Sequence, residues 1–211
     1  VAGSIGPTGM LPSTDDPNLS NITFAELVAI GEEQARALID GGVDLILIET
    51  QQVLLETKAM IFGARQAMIN ANCWAPIQCQ STLDISGRML LGTDIAAALT
   101  ILQALGVDLI GLNCSTGPDY MREPNLHLAE HTRLPITCIP NAGLPINVDG
   151  AACYPLQPEA MAHGLTDFVE QYRVNVVGGR CGSTPEHIKW LVKLSLIHIS
   201  EPTRRTPISY A

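Results

Sequence analysis

The sequence predicts an α/β fold, most simply a (β/α)8 barrel of the TIM type with about six of its strands present, and three features carry that reading. Short runs rich in Val, Ile and Leu recur at 1–5, 43–48, 77–83, 107–112, 136–139 and 174–177, as parallel strands covered on both faces require. Stretches of helical period separate them, so each strand is followed by a helix and the sheet is parallel with right-handed crossovers. Polar clusters bearing Gly or Cys follow nearly every strand at its C-terminal end. A closed barrel gathers all such ends around one mouth, whereas an open doubly wound sheet gathers only those at its switch point.

The elements follow in order. The first strand carries Gly3 and Ser4, and a helix follows at 24–39. The strand at 43–48 ends in Glu49-Thr50-Gln51 before a helix at 54–69. The strand at 77–83 contains Ser81-Thr82 near its end and leads to a helix at 94–105. The strand at 107–112 opens into Asn113-Cys114-Ser115, followed by a weak helical pattern at 121–131. The strand at 136–139 is followed by Asn141-Ala142-Gly143 and a helix at 159–172, and the strand at 174–177 by the cluster at 178–182. A last helix begins at Thr184, where Ser183-Thr184-Pro185-Glu186 supplies a capping residue and a first-turn proline. A barrel of this kind has eight strands and commonly about 250 residues, so two strand-helix units are expected upstream of Val1. Six strands cannot close such a barrel, and an uncovered first strand invites a partner or aggregation.

The barrel is expected over 1–193. From Leu194 helical periodicity breaks, two prolines enter and the chain ends without a cap. The segment 194–211 resembles a translated sequencing-adapter read-through and is set apart as a non-native or unstructured tail.

Composition narrows the function. With 12 Lys and Arg against 21 Asp and Glu, a net charge of −9 excludes a nucleic-acid partner, which needs clustered cations. No apolar run is long enough to cross a membrane and the first residues carry no leader pattern, so a cytoplasmic protein without membrane association is expected. The six cysteines lie far apart, which disfavours a disulfide framework and makes reduced core residues the plain reading for most.

Three segments concentrate the chemistry. Gly-Leu-Asn-Cys-Ser-Thr-Gly-Pro at 111–118 places Cys114 at a strand end, Val-Val-Gly-Gly-Arg-Cys-Gly-Ser-Thr-Pro-Glu-His-Ile at 176–188 surrounds Cys181 with glycines, and Pro-Asn-Ala-Gly-Leu-Pro at 140–145 presents Asn141. Glu49 ends an apolar strand; a carboxylate there either pairs with a substrate ammonium or is merely solvated. Gly3 and Ser4 either offer backbone N–H groups to a substrate carboxylate or form a simple turn. His127, His131, His163 and His187 fall in helical or helix-start patterns and are read as surface or capping residues. Gly178-Gly179 has an alternative reading as a barrel phosphate site.

These segments, with Val-Ala-Gly-Ser-Ile-Gly-Pro-Thr-Gly at 1–9 and Ile-Leu-Ile-Glu-Thr at 46–50, resemble the homocysteine-binding barrel of the cobalamin-dependent methionine synthases, from Val1 to about Lys193. The resemblance implies a Zn2+ site at Cys114 and Cys181, with Asn141 filling the open position until homocysteine displaces it, and Glu49 on the substrate. The chemistry calls for such a site: methyl transfer needs the homocysteine sulfur as thiolate, a free thiol has a pKa of about 8.5, and zinc lowers it. It also implies methylcobalamin and methyltetrahydrofolate as cofactors, held by further folate and cobalamin domains. The family's pair reads Gly-Gly-Cys-Cys-Gly, and here Arg180 stands where the other cysteine belongs. Two thiolates remain, Asn141 would become a permanent ligand, and a guanidinium would repel the metal while able to pair with Glu49. Impaired zinc binding and little turnover are therefore expected. Cys138, on the strand before Asn141, should face the other way. Rival readings are a barrel methylating homocysteine from betaine or S-methylmethionine, or a non-catalytic ligand-binding remnant.

Overall fold

The computed structural model describes residues 1–12 and 21–197. Fourteen elements follow in chain order: β1 (Ala2–Ile5), α1 (Phe24–Asp40), β2 (Leu45–Gln51), α2 (Leu54–Ala71), β3 (Ile77–Ser81), α3 (Ile95–Ala104), β4 (Leu109–Asn113), α4 (Pro118–His131), β5 (Ile136–Ile139), β6 (Ile146–Val148), β7 (Ala151–Cys153), α5 (Pro158–Tyr172), β8 (Val174–Val177) and α6 (Pro185–Ile197).

Six strands form one sheet in the order β1-β2-β3-β4-β5-β8, and every neighbouring pair is parallel. Spatial order follows chain order without reversal. That is barrel topology, since an open doubly wound sheet reverses at its switch point. Among the described residues β1 and β8 do not pair with each other, so the sheet is not closed there.

Strand periodicity separates two faces. Ile46, Ile48, Cys79, Ile110, Leu112 and Cys138 are almost wholly buried beneath the helices. The opposite face, toward the barrel axis, is polar near β3 and β5: Gln78 and Gln80 donate to the Thr137 hydroxyl at 3.3 and 3.0 Å. Gly111 lies beside Thr137 with no room for a side chain.

The helices start where their chemistry directs. Thr23 and Glu26 form a capping box on α1, and Asp94 accepts from Ala97 N at 3.0 Å to start α3. The fourth helix, weak in the sequence because Pro124 interrupts it, begins earlier than residue 121, with Pro118 in its first turn. The last helix runs to Ile197, past the expected boundary at 193; the rest of the expected tail, 198–211, lies outside the described residues.

The hairpin of β6 and β7 between β5 and α5 was not expected. Its loop is Asp149-Gly150, both at positive φ (51° and 85°), which suits a two-residue hairpin turn. Among the described residues no helix is long and apolar enough to cross a membrane.

Candidate active site

The C-terminal ends of β1, β2 and β4 converge on Glu49, which is 8% exposed. Ser4 Oγ donates to Glu49 Oε1 at 2.6 Å. Thr50 Oγ1 and Asn113 Nδ2 lie 3.0 and 3.1 Å from Oε2. Asn113, with no exposed surface, ties the ends together: its Oδ1 accepts from Thr50 N at 3.0 Å and from Thr82 Oγ1 at 3.1 Å.

Beyond Asn113 the backbone turns sharply. Cys114 and Ser115 both adopt left-handed φ, 58° and 60°, and Thr50 does the same at 57°. Residues other than glycine hold such angles when the surroundings fix them. The surroundings here include Cys114 N donating to Ile139 O at 3.2 Å. The turn places the Cys114 sulfur beside Thr50 Oγ1 (3.6 Å) and Asn113 Nδ2 (3.7 Å).

Arg180 reaches the same place from the loop after β8. Its backbone N–H donates to Pro140 O at 2.9 Å, and Ser183 N returns to Arg180 O at 2.8 Å. The side chain directs Nε at Cys114 Sγ, 3.3 Å away, pairs Nη2 with Glu49 Oε2, and lies 3.3 Å from Thr50 Oγ1. Burial works to lower the guanidinium pKa, and the Cys114 thiol and Glu49 carboxylate outweigh it, so the pKa rises and the cation is held charged.

Cys181, next along, has an exposed side chain, and its carbonyl accepts from Ala142 N at 2.9 Å. Tyr154 lies against Gly182, on the loop that carries Cys181. Its phenol pKa is raised by desolvation first and then by Cys181 and Cys114. A Cβ on Gly182, at φ +79°, would lie 2.3 Å from Tyr154 Cβ, so that glycine is needed for the tyrosine to settle over the loop. Asn141 sits between the two cysteine loops, its N–H on Thr116 O at 3.0 Å. Its Oδ1 is buried without a hydrogen-bond partner among the described residues, an orphan acceptor that needs a partner.

The structure thus brings Ser4, Glu49, Cys114 and Arg180 into direct contact, with Cys181 and Asn141 on the adjoining loops. Gly3 is placed elsewhere. It lies inside β1, paired with Ile46, and a Cβ there would meet Val43 and Leu38 at 2.9 and 3.0 Å, so close packing against α1 accounts for the glycine. In the alternative phosphate reading of Gly178-Gly179, the Gly178 N–H is already taken by Cys138 O at 3.3 Å and the following Arg180 N–H by Pro140 O at 2.9 Å, and Ser183 lies against Gly179. Cys138 faces away from the mouth, with Asn125 Nδ2 at 3.3 Å and Met121 Sδ at 3.6 Å. Three cysteines, Cys79, Cys114 and Cys138, are buried, while Cys73, Cys153 and Cys181 are exposed, so the expectation of a mostly buried set is met only by half. His187 is a cap, holding Thr184 N on Nδ1 at 3.1 Å. Thr50, Asn113 and Thr82 were visible only as members of polar strand-end clusters, and Tyr154 carried no signal.

The donors available to a zinc ion are two thiols and one amide oxygen, with a guanidinium already on one thiol. Among the described residues no group of three or more His, Cys, Asp or Glu side chains is arranged to hold a metal. A closed three-ligand set with an open fourth position is not what these residues provide, although the orphan Asn141 Oδ1 is the kind of acceptor a cation would satisfy. A cavity of about 780 Å3 lined by Arg65, Cys73, Trp74 and Asp108 lies at the N-terminal ends of β3 and β4, away from this cluster.

Comparison with known proteins gives a consistent family. A family model described as homocysteine S-methyltransferase matches residues 1–194. A methionine synthase of Mycobacterium tuberculosis (strain ATCC 25618 / H37Rv) is 42% identical over 210 residues, covering 100% of this chain and 17% of that protein. A methionine synthase of Mycobacterium leprae (strain TN) is 43% identical over 189 residues, covering 90% of this chain and 15% of that protein. This chain therefore spans about a sixth of the length of these curated relatives. Among solved structures, the apo form of the homocysteine methyltransferase MmuM from Escherichia coli superposes with a TM-score of 0.66 at 24% identity, over 91% of this chain and 62% of that one. The metallated form of the same protein gives 0.66 at 23% identity, over 92% and 60%.

Proposed function

The chain belongs to the homocysteine S-methyltransferase family, and on that premise we propose that its barrel mouth receives homocysteine as methyl acceptor in a methionine synthase, with a thiol site that is impaired in this sequence. The observation that carries the reading is the arrangement around Glu49. A carboxylate 8% exposed is held in one orientation by Ser4, Thr50 and Asn113, beside the Cys114 sulfur. Glu49 would take the substrate's α-ammonium, a charge-assisted contact strengthened by the low local exposure. Ser4 would fix which carboxylate oxygen faces it. The substrate side chain would then extend toward Cys114, Cys181 and Asn141.

The methyl acceptor must be a thiolate, and a zinc ion lowers a thiol pKa when bound. Arg180 leaves two thiolates for such an ion and sets a fixed positive charge against one of them, so zinc affinity is low and turnover small in this sequence. Methylcobalamin and methyltetrahydrofolate, with the folate and cobalamin domains that hold them, belong to this reading as the donor side of a longer protein. The span of about a sixth of the mycobacterial relatives leaves room for them.

Elemental analysis and calorimetric titration with L-homocysteine test the proposal. The unaltered chain is expected to carry well under one zinc per chain. An Arg180→Cys variant should approach one and bind homocysteine with it. Stoichiometric zinc in the unaltered chain overturns the impairment, and a zinc-loaded Arg180→Cys protein that ignores homocysteine overturns the assignment of substrate.

A further inference from the structure

We propose that Arg180 is an internal latch whose guanidinium occupies, within one side chain, both the cation position beside Cys114 and the ammonium position beside Glu49. The inference deepens the homocysteine reading and rests on it for the identity of the ligand excluded. One planar group makes both contacts: Nε lies 3.3 Å from Cys114 Sγ, and Nη2 pairs with Glu49 Oε2 while 3.3 Å from Thr50 Oγ1. The forked geometry of arginine suits this double contact, and a lysine would have a single point charge to offer.

The acceptor count at Glu49 shows why the latch excludes ligand. A carboxylate has about four lone-pair positions. Ser4 takes Oε1, and Thr50, Asn113 and Arg180 crowd Oε2. Three of these donors are neutral residues that build the mouth. The fourth is the charged arginine, and at Oε2, where three donors meet two lone pairs, it is the donor an incoming ammonium must displace. The Arg180 side chain is about a third exposed, against 11% for Glu49, so the cation sits at the solvent side of the pair and can swing outward while Glu49 stays in place. The class of molecule that competes with it carries an α-ammonium and a short sulfur side chain, able to replace the guanidinium at both ends. The same latch keeps Cys114 covered: the residue is 8% exposed, and Arg180 Nε is the nearest of the three polar side-chain atoms around its sulfur.

The test needs no metal. In a chelator, Arg180→Gln should bind L-homocysteine at least tenfold more tightly than the unaltered chain, measured calorimetrically. Alkylation of Cys114, followed by peptide mass spectrometry, should be at least tenfold faster. Arg180→Lys should keep the pairing with Glu49 but uncover Cys114, giving fast alkylation with weak ligand binding. A circular dichroism spectrum and melting curve matching those of the unaltered chain establish that each variant is folded, and Arg180→Lys serves if Arg180→Gln is not. Equal Cys114 alkylation rates in the unaltered chain and the folded variant overturn the latch whatever homocysteine does. Fast alkylation in Arg180→Gln with no homocysteine binding, in it or in zinc-loaded Arg180→Cys, upholds the latch and removes the substrate assignment instead.

Discussion

Asn113 and Glu49 are joined at 3.1 Å, amide nitrogen to carboxylate oxygen, across two strands of the sheet. The other end of the same amide accepts from the backbone of Thr50 at 3.0 Å, so one fully buried side chain sets both the direction of the carboxylate and the left-handed turn that follows it. An Asn113→Ala change leaves the Thr50 N–H short of a buried acceptor and the Glu49 carboxylate short of a donor, while the Thr82 hydroxyl keeps the Asn113 backbone carbonyl at 3.0 Å. Groups orphaned in this way cost about 1–3 kcal/mol each, with couplings inside a network. The expected loss is about 2–4 kcal/mol in denaturant unfolding, with weaker homocysteine binding. A change under about 0.5 kcal/mol, the ordinary surface value, would show that the amide does not organise the mouth.

The buried thiols give a second prediction. Burial pushes the Cys138 pKa up to about 12, with the Asn125 hydrogen bond working weakly against it, and burial likewise raises Cys79. At pH 8 a thiol with that pKa is ionised to roughly one part in ten thousand. Cys73, Cys153 and Cys181, which are exposed, should therefore react with iodoacetamide in the native protein while Cys79 and Cys138 wait for unfolding. The raised values also set a sign. The folded state holds these protons where the unfolded state, with a thiol pKa of about 8.5, releases them. Their contribution to stability is complete below that pH and declines as pH rises toward 12. Melting curves from pH 8 to 11 should fall, and fall less in a Cys138→Ala protein; parallel curves would contradict the assignment.

How much of this was legible in the sequence differs by residue. The six sheet strands were, because doubly covered strands are apolar runs and their helices carry ordinary start signals such as Thr23 with Glu26. The hairpin was not read, although Asp149-Gly150 is the turn such hairpins favour. The strands flanking it are exposed along their length, and three residues each, Ile146-Asn147-Val148 and Ala151-Ala152-Cys153, are too few for a period of two to stand out. Gly3 shows the limit of reading strand ends from composition: one position separates the residue facing α1 from Ser4, which reaches Glu49. Arg180 could be placed beside a metal-type cysteine from its motif. Asn113 as the hub could not, because its role arises where three strand ends meet and no local pattern records that meeting.

His187 fixes the last helix to the hairpin side of the molecule. Nδ1 accepts from Thr184 N at 3.1 Å, so the ring proton is on Nε2, which donates to Leu156 O at 3.0 Å. Replacement by Phe keeps the ring's bulk in a site 7% exposed and removes these bonds together with the 2.9 Å contact of the Thr184 hydroxyl to Nδ1; replacement by Ala removes the bulk as well. A cap together with a buried carbonyl is worth about 1–3 kcal/mol. Both variants should lose that much, with the Phe protein recovering little. Full recovery by Phe would mean that packing alone is what the histidine supplies.

Gly63 sets a helix-propensity effect against a packing one. It lies in the interior of α2, where Ala is favoured over Gly by about 1 kcal/mol. A Cβ there would stand 2.5 Å from both Glu32 N and Val28 O and 2.7 Å from the Gly31 carbonyl carbon, all backbone of α1. No rotamer relieves a clash of Cβ with backbone, so the two helices would have to separate. Overpacking of this kind costs about 1–3 kcal/mol and sometimes more, and the rigidity of both partners places Gly63→Ala at about 3 kcal/mol net. Gly164→Ala, in α5, meets only the Pro118 ring at 3.3 Å and should be close to neutral. Denaturant unfolding of the two proteins side by side decides it: a Gly63→Ala chain as stable as Gly164→Ala would mean that the close approach of α1 and α2 does not exist in solution.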